Sequence, residues 1–196
     1  AETRFGSAYT AIRMLADAPG NFVAVLDHDA PDSGQGTSNS CTLALGASVT
    51  TCGDITMFKV DPTTGRLSLV INSQVTSVSG QPLPYFPVPN DPIDMVLQGS
   101  YLLTLSGNPT NGDVVFPYNY GLSNGQLTIS QNGAQPVNAH QATAIQVSNG
   151  VVYVLDSEPV TIQPCSSGQG CFPPGTYPVQ ILPFTVGAGG ALQAQK

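Results

Sequence analysis

Strand-length stretches of hydrophobic residues recur along the chain, separated by short stretches rich in Gly, Pro, Asn and Asp. Hydrophobic and polar residues alternate at 66–69 and 126–129, which predicts strands with one exposed face. The stretches 22–26 and 151–155 are almost wholly apolar, which predicts strands of sheets that are covered on both faces. Because Glu and Lys are rare and turn residues are frequent, the pattern predicts an all-β protein.

The strand pattern repeats three times along the chain. Each repeat begins with a strand, a Gly-containing turn and a second strand ending in Asp or Ser, at 9–27, 92–106 and 142–156. A second pair of strands joined by a Gly turn follows, at 55–70, 114–130 and 180–195. Four-stranded antiparallel units repeated in this way are typical of β-propellers. We therefore predict a partial β-propeller of three four-stranded blades, at approximately 7–70, 71–130 and 131–196.

The segment 121–125 (GLSNG) matches the G-x-S-x-G pattern that surrounds the nucleophilic serine of many hydrolases. That pattern has catalytic meaning where a strand leads through the serine into a helix. Here Ser123 lies between two predicted strands, and its flanking glycines suit the positive φ angles of a hairpin turn. We therefore expect a turn rather than a catalytic serine.

Composition narrows the class of protein. Gly (21 residues) and Pro (17 residues) are abundant, as expected where short strands alternate with turns. Five Lys and Arg residues and a net charge of −7 argue against a nucleic-acid partner, since binding requires basic side chains beside the phosphates. A membrane span is indicated by about 18 consecutive apolar residues, and no apolar stretch of this sequence approaches that length.

The four cysteines form two close pairs, Cys41 with Cys52 and Cys165 with Cys171. Neither pair has the spacing of a zinc ribbon, and no His lies nearby at ligand spacing. We predict two local disulfides, each holding one long loop, and buried free thiols are the alternative. Disulfides indicate an oxidising compartment, so the predicted location is extracytoplasmic: secreted, periplasmic or at the cell surface.

Three segments carry a family resemblance: 58–70 (FKVDPTTGRLSLV), 90–106 (NDPIDMVLQGSYLLTLS) and 147–158 (VSNGVVYVLDSE). Together they resemble the seven-bladed, lactonase-like β-propellers with YVTN-type repeats, and the resemblance extends over essentially the whole chain. It implies the propeller fold. For function it implies either a hydrolase of sugar lactones or a bacterial surface protein without known activity.

Three blades are fewer than the four to eight with which propellers typically close. A stack of three leaves two apolar faces without a neighbour. We therefore expect further blades, supplied either by the same longer protein or by another copy of the chain, so that the propeller is part of a larger one or completed by an oligomer.

Most acidic residues fall on the propeller face that carries the long loops. These residues are Asp27, Asp29, Asp32, Asp54, Asp91, Asp94, Asp113, Asp156 and Glu158. Both histidines, His28 and His140, fall there as well. Because functional sites of repeat folds usually lie among the long loops, this face is the predicted site.

Two chemistries suit that face. Carboxylates favour Ca²⁺, and the candidate ligands are Asp27, Asp29, Asp32, Asp156 and Glu158. Alternatively, His28 or His140 acts as general base on a water that attacks a lactone, with Asp156 as a further catalytic candidate. The third interpretation is structural: an Asp at the end of a strand caps the turn that follows it, and scattered acids keep the protein soluble.

The sequence favours a binding or assembly module at the cell surface, with a lactone hydrolase and a calcium-binding propeller as alternatives. No cofactor is required by this interpretation, and Ca²⁺ is the candidate ion. The ligand would be a carbohydrate or a protein. The proline-rich segment 79–92 is interpreted as a stiff spacer with exposed aromatic residues, or else as a recognition strip for sugars or peptides.

Overall fold

The first sheet forms blade 1. In the computed structural model, which describes residues 10–36, 38–107, 112–162, 175–177 and 179–195, this sheet has the strand order β1-β2-β3-β4. Its strands are β1 (Ala11–Ala16), β2 (Phe22–Asp27), β3 (Gly53–Val60) and β4 (Leu67–Leu69), and a short helix, α1 (Ser40–Leu45), lies between β2 and β3. A fifth strand, β5 (Tyr85–Val88), also pairs with β3.

Blades 2 and 3 repeat this order. Blade 2 consists of β6 (Pro92–Gln98), β7 (Tyr101–Ser106), β8 (Val114–Tyr120) and β9 (Leu127–Ile129), with β10 (Gln135–Pro136) also paired to β8. Blade 3 consists of β11 (Ala142–Ser148), β12 (Val151–Asp156), β15 (Gln180–Val186) and β16 (Leu192–Ala194). A separate hairpin of β13 (Val160–Ile162) and β14 (Gly175–Tyr177) lies between β12 and β15. The predicted all-β propeller architecture of three four-stranded antiparallel blades is confirmed.

The β8–β9 connection is a hairpin turn, as expected for the segment around Ser123. The amide of Gly121 donates to the carbonyl of Gln126, and the amide of Gly125 donates to the carbonyl of Gly121. Gly125 has a φ of 70°, a conformation that favours glycine. A strand follows the turn, so Ser123 has no helix behind it.

The first strand of every blade contains a register break at the same place. The breaks lie between Ala11 and Arg13, between Pro92 and Asp94, and between Ala142 and Ala144. Beyond the break, the residues opposite these strands are Leu26, Leu105 and Leu155. The blades therefore share one register, and residues of different blades can be compared position by position.

Two hydrophobic clusters hold the blades together. The first joins blades 1 and 2 and contains Phe22, Leu26 and Leu102. The ring of Phe22 meets that of Tyr120 edge-on, with centroids 6.3 Å apart. The second cluster joins blades 2 and 3 and contains Leu105 together with residues of β11, β12 and β15. Burial of these side chains supplies the main driving force for stacking the sheets.

The proline-rich segment 79–92 differs from the interpretation of a spacer with exposed aromatic residues. Its residues Tyr85–Val88 form β5, and Tyr85 and Phe86 are both buried. Phe86 packs edge-on against Tyr118, with centroids 5.4 Å apart. Pro87 fits because β5 lies at the outer edge of the sheet, where a residue without an N–H is tolerated.

Among the residues that the structure describes, no helix has the length and apolar character needed to cross a membrane.

Candidate functional site

A pair of buried carboxyl groups lies where β2 ends and β3 begins. Asp27, the last residue of β2, is directly opposite Asp54 in the antiparallel register. Asp27 is 3% exposed and Asp54 is 2% exposed. Two carboxyl groups at such positions cannot both carry a full charge without a large electrostatic cost.

The loop that connects Asp27 to Asp54 is held by covalent and polar contacts. Cys41, in α1, forms a disulfide with Cys52, which immediately precedes β3. Asn39 caps α1 by accepting from the amide of Thr42 at 3.0 Å, while the Thr42 hydroxyl accepts from the amide of Asn39. The predicted Cys41–Cys52 disulfide is present, whereas the predicted Cys165–Cys171 disulfide lies outside the described residues.

Asp32 connects the β2–β3 loop to β5. Its carboxylate accepts hydrogen bonds from the amide of Ser40 at 2.7 Å, from the hydroxyl of Ser40, and from the hydroxyl of Tyr85 at 3.2 Å. Burial raises the pKa of Tyr85 to about 12, so its hydroxyl stays protonated and remains a donor to Asp32. The Asp32 oxygens are thus already engaged by protein donors.

The environment of the carboxyl pair favours a proton on Asp54. Burial, followed by the neighbouring charge of Asp27, raises the pKa of Asp54 to about 8, although the hydroxyl of Thr56 partly opposes the shift. Burial also raises the pKa of Asp27, against a hydrogen bond from the backbone of Thr10. Among the described residues, Oδ1 of Asp27 is buried without a hydrogen-bond partner.

Blade 3 shows what this position does elsewhere in the fold. There Gln180 is the residue opposite Asp156, and its amide Nε2 donates to Oδ2 of Asp156 at 2.9 Å. Asp54 occupies the equivalent place opposite Asp27. A protonated Asp54 can therefore act as the donor in blade 1.

Asp156 is occupied by donors from the protein. In addition to Gln180, it accepts from the amides of His140 at 3.2 Å, Gln141 at 3.1 Å and Glu158 at 3.0 Å. Burial alone raises the pKa of Asp156, but these hydrogen bonds together hold it below its ordinary value. This arrangement is the turn-capping role that the sequence offered as its structural interpretation.

The two histidines are exposed and lie in different blades. Nδ1 of His28 is 3.2 Å from Oδ2 of Asp29, and its Nε2 is 3.7 Å from Oδ1 of Asp91. His140 precedes β11, and it is its backbone amide that reaches Asp156. The predicted catalytic residues His28 and Asp156 are therefore each engaged with other neighbours.

The predicted calcium ligands do not form one group. Asp27 ends β2 and is followed by Asp29 and Asp32 in blade 1, whereas Asp156 ends β12 and is followed by Glu158 in blade 3. Across the part of the chain that the structure describes, no group of three or more His, Cys, Asp or Glu side chains is placed to hold a metal ion. Calcium binding therefore stays a prediction.

Sequence reasoning missed the special character of Asp54 and Tyr85. In the sequence, Asp54 was one of nine acidic residues assigned to the face with the long loops, and Tyr85 was assigned to the proline-rich spacer. One signal was available for Asp54, since it stands two residues after a cysteine that closes the loop from Asp27. Pairing the strands before and after this loop as antiparallel neighbours would have placed the carboxyl groups of Asp27 and Asp54 opposite each other.

The chain matches no protein-family model and no curated protein. Among solved structures it is similar to a proposed 6-phosphogluconolactonase from Bacteroides fragilis, with a TM-score of 0.45 and 13% sequence identity. The match covers 91% of this chain and 36% of that chain, so this chain spans about a third of the length of that protein. A likeness this weak carries no argument about function.

Proposed function

We propose that the protein is an extracytoplasmic β-propeller module for binding or assembly, in which the three blades join further blades to close a ring. The observation that carries the proposal is the pair of outer faces, on blades 1 and 3. On both faces, hydrophobic residues stand at strand positions whose equivalents in the other blades are buried between neighbouring blades.

The outer face of blade 3 is the clearer case. Val151, Tyr153 and Leu155 are half-buried and point away from blade 2, and neither hydrophobic cluster contains them. Their equivalents are fully packed in blade 1, where they are Phe22, Ala24 and Leu26, and packed in blade 2, where they are Tyr101, Leu103 and Leu105. Ile181, opposite Leu155 on β15, is 62% exposed. Blade 3 therefore presents the kind of surface that blades 1 and 2 each bury against the next blade.

The outer face of blade 1 presents the complementary side. Val23 and Val25 are half-buried, and their equivalents in blade 3, Val152 and Val154, pack against blade 2. Met14, opposite Val25, is 70% exposed. The outer face of blade 3 therefore corresponds to the side with which blades 1 and 2 pack against the following blade. The outer face of blade 1 corresponds to the side with which blade 3 packs against the preceding blade, so a further blade fits between the two outer faces.

The disulfide and the separate surroundings of His28 and Asp156 support the rest of the proposal. A Cys41–Cys52 bond is stable in oxidising compartments, which favours a secreted, periplasmic or surface location. His28 and Asp156 are engaged by separate neighbours, which favours binding over hydrolysis. A carbohydrate or a protein remains the proposed ligand of the loop face.

Charge placed on an outer face tests the assembly proposal. Tyr153→Asp puts a carboxylate where the next blade would pack, whereas Val78→Asp puts one on an exposed residue of the loop between β4 and β5. We expect Tyr153→Asp to lower the assembled fraction of the chain, or the melting temperature of a longer protein that contains the blades, and Val78→Asp to change neither. Equal behaviour of the two variants would contradict the proposal.

Lactone hydrolysis is the second candidate, and the Asp27–Asp54 pair is the observation that favours it. A carboxylic acid with a pKa of about 8 beside a second carboxyl group can act as a general acid. Turnover of sugar lactones that disappears in Asp54→Asn, with the fold retained, would support this candidate. The absence of turnover across a panel of lactones would remove it.

A further inference from the structure

A cavity of about 450 Å³ lies at the opposite ends of the strands from the Asp27–Asp54 pair. Its walls come from β1, β6 and β11, which are the first strands of the three blades, and from the β1–β2 and β8–β9 turns. Cavities that bind small molecules typically measure about 300 to 1,000 Å³. The size is therefore suitable for a small organic ligand.

Arg13 supplies the charged group that a ligand can reach. Its side chain is 41% exposed, and its Nε lies 3.2 Å from Oδ1 of Asp94. Asp94 is itself fixed, because it accepts from the amide of Met95 at 2.9 Å and from the amide of Ile145 at 3.1 Å. The two groups form an ion pair without hydrogen-bond geometry, since Nε of Arg13 is buried and makes no hydrogen bond. A guanidinium has five N–H groups, so the terminal N–H groups of Arg13 can still donate to a ligand.

Asp17, the acidic residue in the cavity wall, is satisfied by the protein. Its Oδ1 accepts from the amide of Phe22 at 2.9 Å, and its Oδ2 accepts from the hydroxyl of Tyr120 at 3.2 Å. Asp17 is also buried, so its charge is directed at these donors rather than at the cavity. The group left to recognise a charged ligand is Arg13.

The remaining walls are mostly apolar. Leu15, Leu97, Leu122 and Val147 contribute hydrophobic surface on several sides of the space. Leu122 is 61% exposed, although it sits in a turn where a polar residue would be tolerated. An exposed Leu beside a cavity is explained if an apolar ligand covers it.

We propose that this cavity binds a small organic monocarboxylate with a compact apolar body. The carboxylate pairs with the terminal N–H groups of Arg13, and the apolar body lies against Leu97, Leu122 and Val147. A planar carboxylate matches the fork of a guanidinium. A doubly charged phosphate is disfavoured, because Asp94 already offsets the charge of Arg13.

Titration of the purified protein with benzoate and hexanoate, followed by ligand-observed NMR, tests the proposal. Benzamide has the shape of benzoate without its charge, and inorganic phosphate has charge without an apolar body. We expect both carboxylates to bind, and benzamide and phosphate to bind at least about tenfold more weakly, since a charge-assisted pair is lost or the apolar contacts are absent.

Variants locate the binding. Arg13→Gln is expected to weaken benzoate about tenfold or more, and Arg66→Gln, which removes an exposed cation of the β3–β4 turn, is expected to leave it unchanged. Leu122→Asp keeps Arg13 and its ion pair but places a negative charge in the wall, and it is expected to weaken benzoate as well. Absence of carboxylate binding, equal binding of benzamide or phosphate, or insensitivity to both Arg13→Gln and Leu122→Asp would overturn the proposal.

Discussion

Three leucines at equivalent positions allow the packing of each blade to be compared with one substitution. Leu26 and Leu105 are fully buried between blades, whereas Leu155 is half-buried on the outer face of blade 3. In each case the change is Leu→Ala. The chemistry and the register are constant, so the difference in cost reports whether a blade covers the residue.

The expected costs follow from burial. Leu→Ala removes three carbons, which are worth about 0.8 kcal/mol each when fully buried, or about 2.4 kcal/mol in total. The cavity left in a packed interface adds to this, so that the loss for Leu26→Ala and Leu105→Ala is about 3 to 4 kcal/mol. Leu155 keeps water on one side, and Leu155→Ala in the separate chain is expected to cost about 1 kcal/mol.

Urea unfolding followed by circular dichroism measures these costs, with Leu43→Ala as a baseline for an exposed leucine. At protein concentrations where the chain is monomeric, Leu155→Ala should resemble the baseline more than it resembles Leu105→Ala. When a further blade covers the outer face of blade 3, the cost of Leu155→Ala should rise to that of Leu26→Ala and Leu105→Ala. A monomeric chain in which Leu155→Ala costs as much as Leu105→Ala would refute the assignment of the outer face.

Three further predictions test the turns, the carboxyl pair and the disulfide. Gly65→Ala should cost about 1 kcal/mol for its left-handed backbone, and Gly125→Ala should cost clearly more, because a Cβ there collides with a ring of blade 1; equal melting temperatures would contradict the packing. Because burial raises the pKa of Asp54 in the fold to about 8, its stabilisation is fully present below about pH 4, its unfolded-state pKa, and is lost as the pH rises toward 8. Asp54→Asn should therefore gain stability relative to the parent protein between pH 5 and 9 in urea titrations, and a constant difference would contradict the shift. Replacing Cys41 and Cys52 together by Ser should lower the free energy of unfolding by about 3 kcal/mol, given a sequence separation of 11 residues, and no loss would exclude a stabilising role for the bond.

The fold could be predicted because the sequence repeats the same pattern of strand, turn and strand three times. The leucines at 26, 105 and 155 already align in the repeats, and the structure gives them one register. The pairing of β5 with β3 could not be predicted in the same way. Prolines argue against a strand in general, and only the edge position makes Pro87 compatible with pairing.

The candidate site was less accessible to sequence reasoning. Asp156 has the residue type of a catalytic or metal-binding group, yet its partners are backbone amides and one Gln side chain, which no motif reveals. Asp54 acquires its raised pKa from burial and from the register that sets it opposite Asp27. Arg13 and Asp94 lie far apart in the chain, and the packing of β1 against β6 of the next blade brings them together as an ion pair.

Measuring the native mass is the most direct test of the claim that the outer faces of blades 1 and 3 bind further blades. Light scattering on residues 1–196 alone, over a range of concentrations, distinguishes the 20.2 kDa monomer from its assemblies. If the outer faces bind further blades, we expect masses at multiples of 20.2 kDa that grow with concentration, and we expect these assemblies to be lost in Tyr153→Asp. A stable monomer of 20.2 kDa at every concentration, with no tendency to associate, would contradict it.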